Sequence, residues 1–161
     1  MASFAGARRL GAVLDFAPTT DQGDGITLGE RVTDQLGNEF VYVQAAEALG
    51  LGVPVDFTSA FVASVSDSGD PIFAVVRGDG TAFAADEYGW VQTRGIVPDA
   101  QVAASTAAGD PLASVADSNG DFFVVIDVDE AGADTATAGG LSTRAYALEA
   151  ESSGVADILI P

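Results

Sequence analysis

The sequence Asp-Glu-Tyr-Gly-Trp-Val-Gln-Thr-Arg-Gly at residues 86–95 decides how the fold of this chain is interpreted, and it holds the only tryptophan. Its residues alternate in character, which is typical of a β-strand whose side chains point to opposite faces. One face is small and suited to a core: Gly89, Val91 and Thr93. The other face is aromatic, polar and cationic: Tyr88, Trp90, Gln92 and Arg94.

Outward from this strand, short β patterns separated by turns continue along the chain. Residues Glu39–Gln44 are aromatic and β-branched, and a turn at Leu36–Glu39 predicts a hairpin that pairs them with Val32. This spacing predicts an all-β fold, a small barrel or sandwich of short antiparallel strands with an extended N-terminal arm. No long helix is expected; Ala45–Leu51 predicts one helical turn that ends at glycines.

The chain of 161 residues is expected to form one domain with a proper core. We predict an N-terminal arm and loop over residues 1–27 and a single β domain over residues 28–161. Residues 1–14 carry Arg8 and Arg9 but no acid, a charge of +2, whereas the rest carries four arginines and 24 acids, a charge of −20. This arm is either a contact element for an acidic neighbouring subunit or a frayed terminus with incidental charge.

Three missing residue types restrict the chemistry. The chain has no cysteine, no histidine and no lysine, since all six basic residues are arginine. These absences exclude cysteine nucleophiles, Ser-His-Asp triads, Schiff-base lysines, the P-loop lysine and zinc sites built on His or Cys. We therefore expect a protein that is not an enzyme, with no catalytic residue, no cofactor and no metal site.

The net charge of −18 indicates the environment and restricts the partners. Such self-repulsion costs stability at ordinary ionic strength, but in molar salt the Debye length falls to about 3 Å and the cost largely disappears. The aspartate-rich, lysine-free composition resembles that of proteins from salt-accumulating halophiles; an acidic protein of a mesophile is the alternative. Direct nucleic-acid binding is not expected without a basic patch, nor a membrane span without about 20 consecutive apolar residues.

Three short motifs have an ordinary structural interpretation as well as a functional one. Arg77-Gly78-Asp79 spells an integrin-recognition tripeptide, but we expect it in the turn of a hairpin between Phe73–Val76 and Thr81–Ala84. Asp67-Ser68-Gly69 matches an aspartic-protease core without an intact second copy, and is expected to be a turn. Asp127–Gly132 begins like a calcium loop but lacks the glutamate required at its twelfth position.

The aromatic face of Tyr88–Arg94 has two interpretations. Tyr88 and Trp90 can belong to the protein's own core, with Gly89 relieving crowding between them. Alternatively the strand is an interface, because Arg, Trp and Tyr are the residue types enriched in binding hot spots. We predict a contact surface for a capsid or for sister subunits, formed by six residues: Arg8, Arg9, Tyr88, Trp90, Gln92 and Arg94.

Three segments resemble the head decoration, or cement, proteins of tailed viruses. They are Leu28–Arg31 with Asn38–Ala45, then Glu87–Gly95 (Glu-Tyr-Gly-Trp-Val-Gln-Thr-Arg-Gly), then Ala108–Leu112 (Ala-Gly-Asp-Pro-Leu). Similar proteins carry a Gly-x-Phe-x-Tyr strand, a Tyr-Gly-Trp-Val-Gln-x-x-Gly strand and an Ala-Gly-Asp-x-Leu turn. The resemblance covers about residues 28–125 and implies a β-rich, often trimeric protein on the outer capsid surface that bridges neighbouring capsomers.

The resemblance and the composition together lead to one functional expectation. The chain is expected to be a virion structural protein of a virus that infects a halophilic archaeon, located on the outer capsid surface. Its partners would be the major capsid protein and two further copies of itself in a homotrimer. The alternatives are another virion component, such as a head-fibre base or tail protein, and an extracellular calcium- or carbohydrate-binding β-module.

Overall fold

The computed structural model describes residues 17–22, 25–66, 74–104, 106–115, 122–125 and 145–161. These residues contain ten strands and no helix, which confirms the all-β prediction. The strands are β1 (Arg31–Thr33), β2 (Glu39–Ala45), β3 (Pro54–Phe57), β4 (Val62–Val65), β5 (Ala74–Val75), β6 (Tyr88–Gln101), β7 (Pro111–Val115), β8 (Phe122–Val125), β9 (Ala145–Ala147) and β10 (Val155–Ile160).

Five of these strands close into a small barrel. Their order is β2-β4-β3-β5-β6, and β6 pairs back with β2 to complete the ring. The β2–β4 pairing is parallel and the other four are antiparallel. The barrel is narrow, and its interior is filled mostly by valine and alanine side chains. Members of this cluster are Val41, Val43, Ala45, Leu49, Val55, Ala63, Ala74, Val76, Phe83 and Val91.

Strand β6 is 14 residues long and belongs to two sheets. Its first half pairs with β2 inside the barrel, from Tyr88 opposite Gln44 to Arg94 opposite Glu39. Its second half pairs with β10, from Gly95 to Gln101. Strands β9, β7 and β8 then extend this second sheet. The second sheet has its own core of small and branched side chains, which includes Val97, Leu112 and Ile158.

The chain bends where β6 leaves the barrel. The register shifts between Glu39 and Phe40, which pair with Arg94 and Gln92, so Thr93 is an extra residue on β6, a β-bulge. Gly95 follows with a φ of +94°, and a Cβ at this position would collide with the side chain of Asn38. Glycine is required here for both reasons.

The outer side of the barrel is covered by the chain that precedes β1. Thr19 forms an antiparallel bridge with Tyr88 through two backbone hydrogen bonds of 2.9 and 2.8 Å. Ile26 and Leu28 pack on a cluster outside the barrel that contains Trp90. The later part of the predicted arm and loop over residues 1–27 is therefore attached to the body, and residues 1–16, with the arm itself, lie outside the described residues.

Several local predictions are confirmed and two are wrong. The β1–β2 hairpin is present, with Val32 opposite Phe40. The predicted helical turn at Ala45–Leu51 does not form, because Leu49 is buried and exchanges two backbone hydrogen bonds with Phe83. The same pairing rules out the predicted hairpin around Gly78, since β5 pairs with β3 and β6 instead of with residues 81–84.

Replacing Gly95 with alanine is expected to lower the free energy of unfolding by roughly 3–4 kcal/mol. A positive φ costs an L-residue roughly 1–2 kcal/mol, and displacing Asn38 adds roughly 2 kcal/mol. Gly109→Ala is the matched control, because Gly109 has a φ of +91° but nothing within 4 Å of its Cβ position. Equilibrium unfolding in urea measures both. Equal losses in the two variants would show that the Asn38 contact adds nothing.

Candidate functional site

The four described residues of the predicted contact surface lie on the first half of β6, but they do not share one environment. Tyr88 is half-buried, Trp90 and Gln92 are buried, and only Arg94 is exposed. Arg8 and Arg9 lie outside the described residues. The alternation expected along the strand persists in the barrel and is broken by the bulge at Thr93.

Trp90 belongs to the protein's own interior. Its side chain is 6% exposed and packs with Phe40 and Tyr42, and the Tyr42 and Trp90 ring centroids lie 5.1 Å apart with a 58° interplanar angle. Ile26, Leu28, Val32 and the half-buried Tyr88 pack around this cluster. Of the two interpretations of the aromatic face, the structure selects the core for Trp90.

Gln92 is buried for a structural reason. Its Nε2 donates to the carbonyl oxygens of Arg94 and Ile96, both at 2.9 Å. Its Oε1 is buried and has no hydrogen-bond partner within the described part of the chain. Since both donor hydrogens point at backbone just beyond the bulge, the side chain stabilises the bend of β6 and is not available to a partner.

Asn38 completes the support of this bend. Its Oδ1 accepts a hydrogen bond from the Ile96 N–H at 3.1 Å, and its Nδ2 donates to Asp34 Oδ2 at 2.7 Å. Asp34 Oδ1 also accepts the backbone N–H groups of Leu36 and Asn38, at 2.8 and 2.9 Å. Partial burial opposes ionisation of Asp34, but these hydrogen bonds outweigh it and lower the pKa of its carboxyl.

Arg94 is the member of the predicted surface that remains accessible. Its side chain is 61% exposed, and its Nη1 lies 3.4 Å from Oε1 of Glu39 on the neighbouring strand. A solvent-exposed pair at this distance contributes little to stability. The guanidinium can therefore exchange Glu39 for another carboxylate at small cost.

In the Arg77-Gly78-Asp79 motif, the arginine and aspartate side chains form an ion pair with each other. Arg77 Nε and Nη2 donate to the two carboxylate oxygens of Asp79 at 2.7 and 2.6 Å. These hydrogen bonds first, and then the charge of Arg77, hold the pKa of Asp79 below its usual value against the opposing effect of partial burial. A receptor that needs separate arginine and aspartate side chains would have to break this bidentate pair.

A partly exposed apolar row, which the sequence patterns do not reveal, lies on the second sheet. Ile96 pairs with Leu159, Leu159 with Tyr146, and Tyr146 with Pro111, so four apolar residues line up across β6, β10, β9 and β7. Ile96 is 50% exposed and Tyr146 is 42% exposed. The strand patterns of β7 and β10 are visible in the sequence, but the row depends on their register.

The described residues contain neither a candidate metal-binding cluster nor a candidate membrane-spanning helix. In those ranges no group of three or more His, Cys, Asp or Glu side chains is placed to hold a metal ion. Within the same part of the chain, no helix has the length and apolar character needed to cross a membrane. The motifs at Asp67-Ser68-Gly69 and Asp127–Gly132 lie outside the described residues.

Comparisons with known proteins assign no family: no protein-family model matches the chain, and no curated protein matches it either.

Trp90→Ala is expected to lower the free energy of unfolding by roughly 3–5 kcal/mol, because it removes a large buried side chain and leaves a cavity. Arg94→Ala is the control on the same strand and should change stability by less than about 1 kcal/mol. Urea unfolding of the monomer measures both. If Trp90→Ala left the monomer stable and only weakened association, Trp90 would be an interface residue after all.

Asp34→Asn is expected to reduce the loss of unfolding free energy that acidification causes. The pKa of Asp34 is lower in the folded protein than its ordinary value of 3.8, so its stabilising contribution is complete above about pH 4 and is lost as the pH falls through the folded value. The variant lacks this contribution at neutral pH and therefore loses less on acidification. Urea midpoints between about pH 6 and pH 2 measure the difference.

Asp86→Asn is the control for Asp34→Asn, since Asp86 is an exposed aspartate with a φ of +67°, a conformation that asparagine tolerates. It corrects for removing one negative charge from an acidic chain. If both variants flattened the acid dependence equally, the hydrogen bonds of Asp34 would not be its cause.

Proposed function

We propose that this protein is a non-enzymatic virion structural protein that decorates and stabilises the outer surface of an icosahedral capsid of a tailed virus. The observation that carries the proposal is the Glu87–Gly95 motif, with its resemblance to head decoration proteins. In the fold these residues form the first half of β6, the strand shared by the barrel and the second sheet. The resemblance therefore includes part of the strand that connects the barrel with the second sheet.

The physical requirements of a decoration protein support the proposal. Such a protein needs a stable body and an outward contact surface, and it stabilises a shell because it binds only the assembled state that presents its site. The closed barrel and its internal valine and alanine packing provide the body. The exposed Arg94 and the apolar row beginning at Ile96 offer adjacent contact elements. Several copies acting together add avidity to modest single contacts.

The acidic surface fits a host with molar salt. The net charge of −18 would repel neighbouring copies at low ionic strength, whereas a Debye length of about 3 Å in molar salt removes most of that repulsion. We therefore propose a virus of a halophilic archaeon, with the major capsid protein and sister copies in a homotrimer as partners.

The proposal is tested by following the protein on purified particles. Intact heads isolated in molar salt should carry about one copy per capsid subunit, measured by quantitative gel densitometry and by cryo-electron microscopy. Arg94→Glu should reduce this occupancy several-fold. Arg31→Glu is the matched control, because Arg31 is an exposed arginine on the edge strand β1, which β2 separates from β6.

Two results would overturn the proposal. One is a protein found only in the culture supernatant, unattached to heads; saturable calcium or carbohydrate binding would then favour an extracellular module. The other is a protein located at the tail or a fibre base, which would make it a different virion component.

A further inference from the structure

Two exposed apolar side chains and one exposed ion pair surround Asn38 at the bend of β6. The N–H of Ile96 donates to Oδ1 of Asn38 at 3.1 Å, and Ile96 is 50% exposed. Leu36, two residues before Asn38, is 87% exposed. Glu39, the residue after Asn38, forms the ion pair with Arg94. We call Leu36, Glu39, Arg94 and Ile96 the Asn38 patch.

The turn that carries Leu36 is held by several hydrogen bonds. Oδ1 of Asp34 accepts the N–H groups of Leu36 and Asn38, at 2.8 and 2.9 Å. The N–H of Asp34 donates to the carbonyl oxygen of Asn38 at 3.0 Å. A leucine on a turn that is already ordered can be buried by a partner with little further loss of backbone entropy.

Strand pairing arranges the Asn38 patch on two sides of a line between β2 and β6. Glu39 on β2 lies opposite Arg94 on β6, and the strands are antiparallel. The chain before Glu39 and the chain after Arg94 therefore continue in the same direction, and the hydrogen bond from Ile96 to Asn38 keeps them side by side. Leu36 thus lies on the β2 side and Ile96 on the β6 side, both beyond the ion pair.

We propose that a second copy of this chain binds the Asn38 patch about a two-fold axis that runs between β2 and β6. Rotation about this axis exchanges the two sides of the patch. Arg94 of each copy then faces Glu39 of the other copy, and Leu36 of each copy faces Ile96 of the other. The patch is therefore complementary to itself in charge and in apolar character, as a two-fold contact requires.

The charges of the patch favour this occupant. Nη1 of Arg94 lies 3.4 Å from Oε1 of Glu39, and the two side chains are 61% and 38% exposed. An exposed pair of this kind contributes little within one chain, so its groups can pair again with those of a second copy. Opposite charges that meet across an interface fix which surfaces bind. The contact between Leu36 and Ile96 is uncharged, so salt does not screen it.

The inference deepens the proposed function and rests on it only in placing both copies on one capsid. A two-fold contact is compatible with the proposed homotrimer, because it can join copies that belong to two neighbouring trimers. The contact is measured on isolated protein without heads. Its failure therefore leaves the test on purified heads unaffected, and the two proposals can fail separately.

A mixture of two charge variants tests the contact directly. Arg94→Glu leaves two acids at the pair and Glu39→Arg leaves two arginines, so each variant alone should associate about tenfold more weakly than the wild type. Mixed in equal amounts, the variants should recover association of wild-type strength, because each acid then faces an arginine. Sedimentation velocity in about 1 M KCl, where the Debye length is about 3 Å, measures association with little general repulsion.

The overall charge provides the control for this mixture. Exchanging an acid for an arginine adds two positive charges, so Glu39→Arg changes the net charge from −18 to −16. Asp21→Arg makes the same change at an exposed residue near the bridge between Thr19 and Tyr88, at the start of β6. It should associate at least as well as the wild type. If it weakened association as much as Glu39→Arg, the proposal would be wrong.

Leu36→Ser tests the apolar part of the contact. Because Leu36 is 87% exposed, its replacement should change the free energy of unfolding little. Association should weaken about tenfold or more, since the wild-type leucine is buried by the second copy. Leu148→Ser is the control, because Leu148 is 43% exposed and follows β9, which β10 separates from β6. Equal weakening in the two variants would contradict the proposal.

Two results would overturn the two-fold contact. One is wild-type protein whose sedimentation does not change with concentration. The other is a mixture of Arg94→Glu and Glu39→Arg that associates no more than either variant alone, although dispersed amide spectra show both to be folded. If Leu36→Ser then lowered the occupancy of purified heads, the Asn38 patch would bind the capsid protein instead of a second copy.

Discussion

The bend of β6 is the constraint on which the rest of the structure depends. Both backbone polar groups of Ile96 are held by side chains: Asn38 accepts from its N–H and Gln92 donates to its carbonyl oxygen. Asp34 in turn fixes the amide of Asn38. Gly95 adopts a positive φ at the bend, and glycine tolerates this conformation better than any other residue. Because the bend is held in this way, the first half of β6 can pair with β2 to close the barrel and the second half can pair with β10 in the second sheet.

Along β6, the first exposed side chain comes directly after the bulge at Thr93. Before the bulge, Trp90 lies under the N-terminal part of the chain, and the side-chain amide of Gln92 donates hydrogen bonds to backbone carbonyl oxygens. After it, Arg94 and Ile96 face outward. The exposed side chains of β6 therefore lie at the end of the Glu87–Gly95 motif and just beyond it. The proposed role on a capsid concerns these exposed side chains.

Much of the local structure follows from the sequence because local patterns determine it. Aromatic and β-branched residues predicted β2, alternation predicted the strand at Tyr88–Arg94, and the turn at Leu36–Glu39 predicted the first hairpin. The hairpin at Gly78 was wrong because its apparent partner, Phe83, pairs with Leu49, more than 30 residues earlier in the chain. The burial of Gln92 was equally unexpected, since a polar residue on an alternating strand ordinarily predicts an exposed face.

The sequence by itself determined the all-β class, the strand at Tyr88–Arg94 and the exclusion of chemistry that needs histidine, cysteine or lysine. These conclusions depend on residue types and on a period of two, which neighbouring residues encode. Only the tertiary structure decided that five strands close into a barrel, that Trp90 faces inward and that Ile96, Leu159, Tyr146 and Pro111 form one row. Strand order and register arise from pairings between residues far apart in the chain, and alternation within each strand is the same for many such pairings.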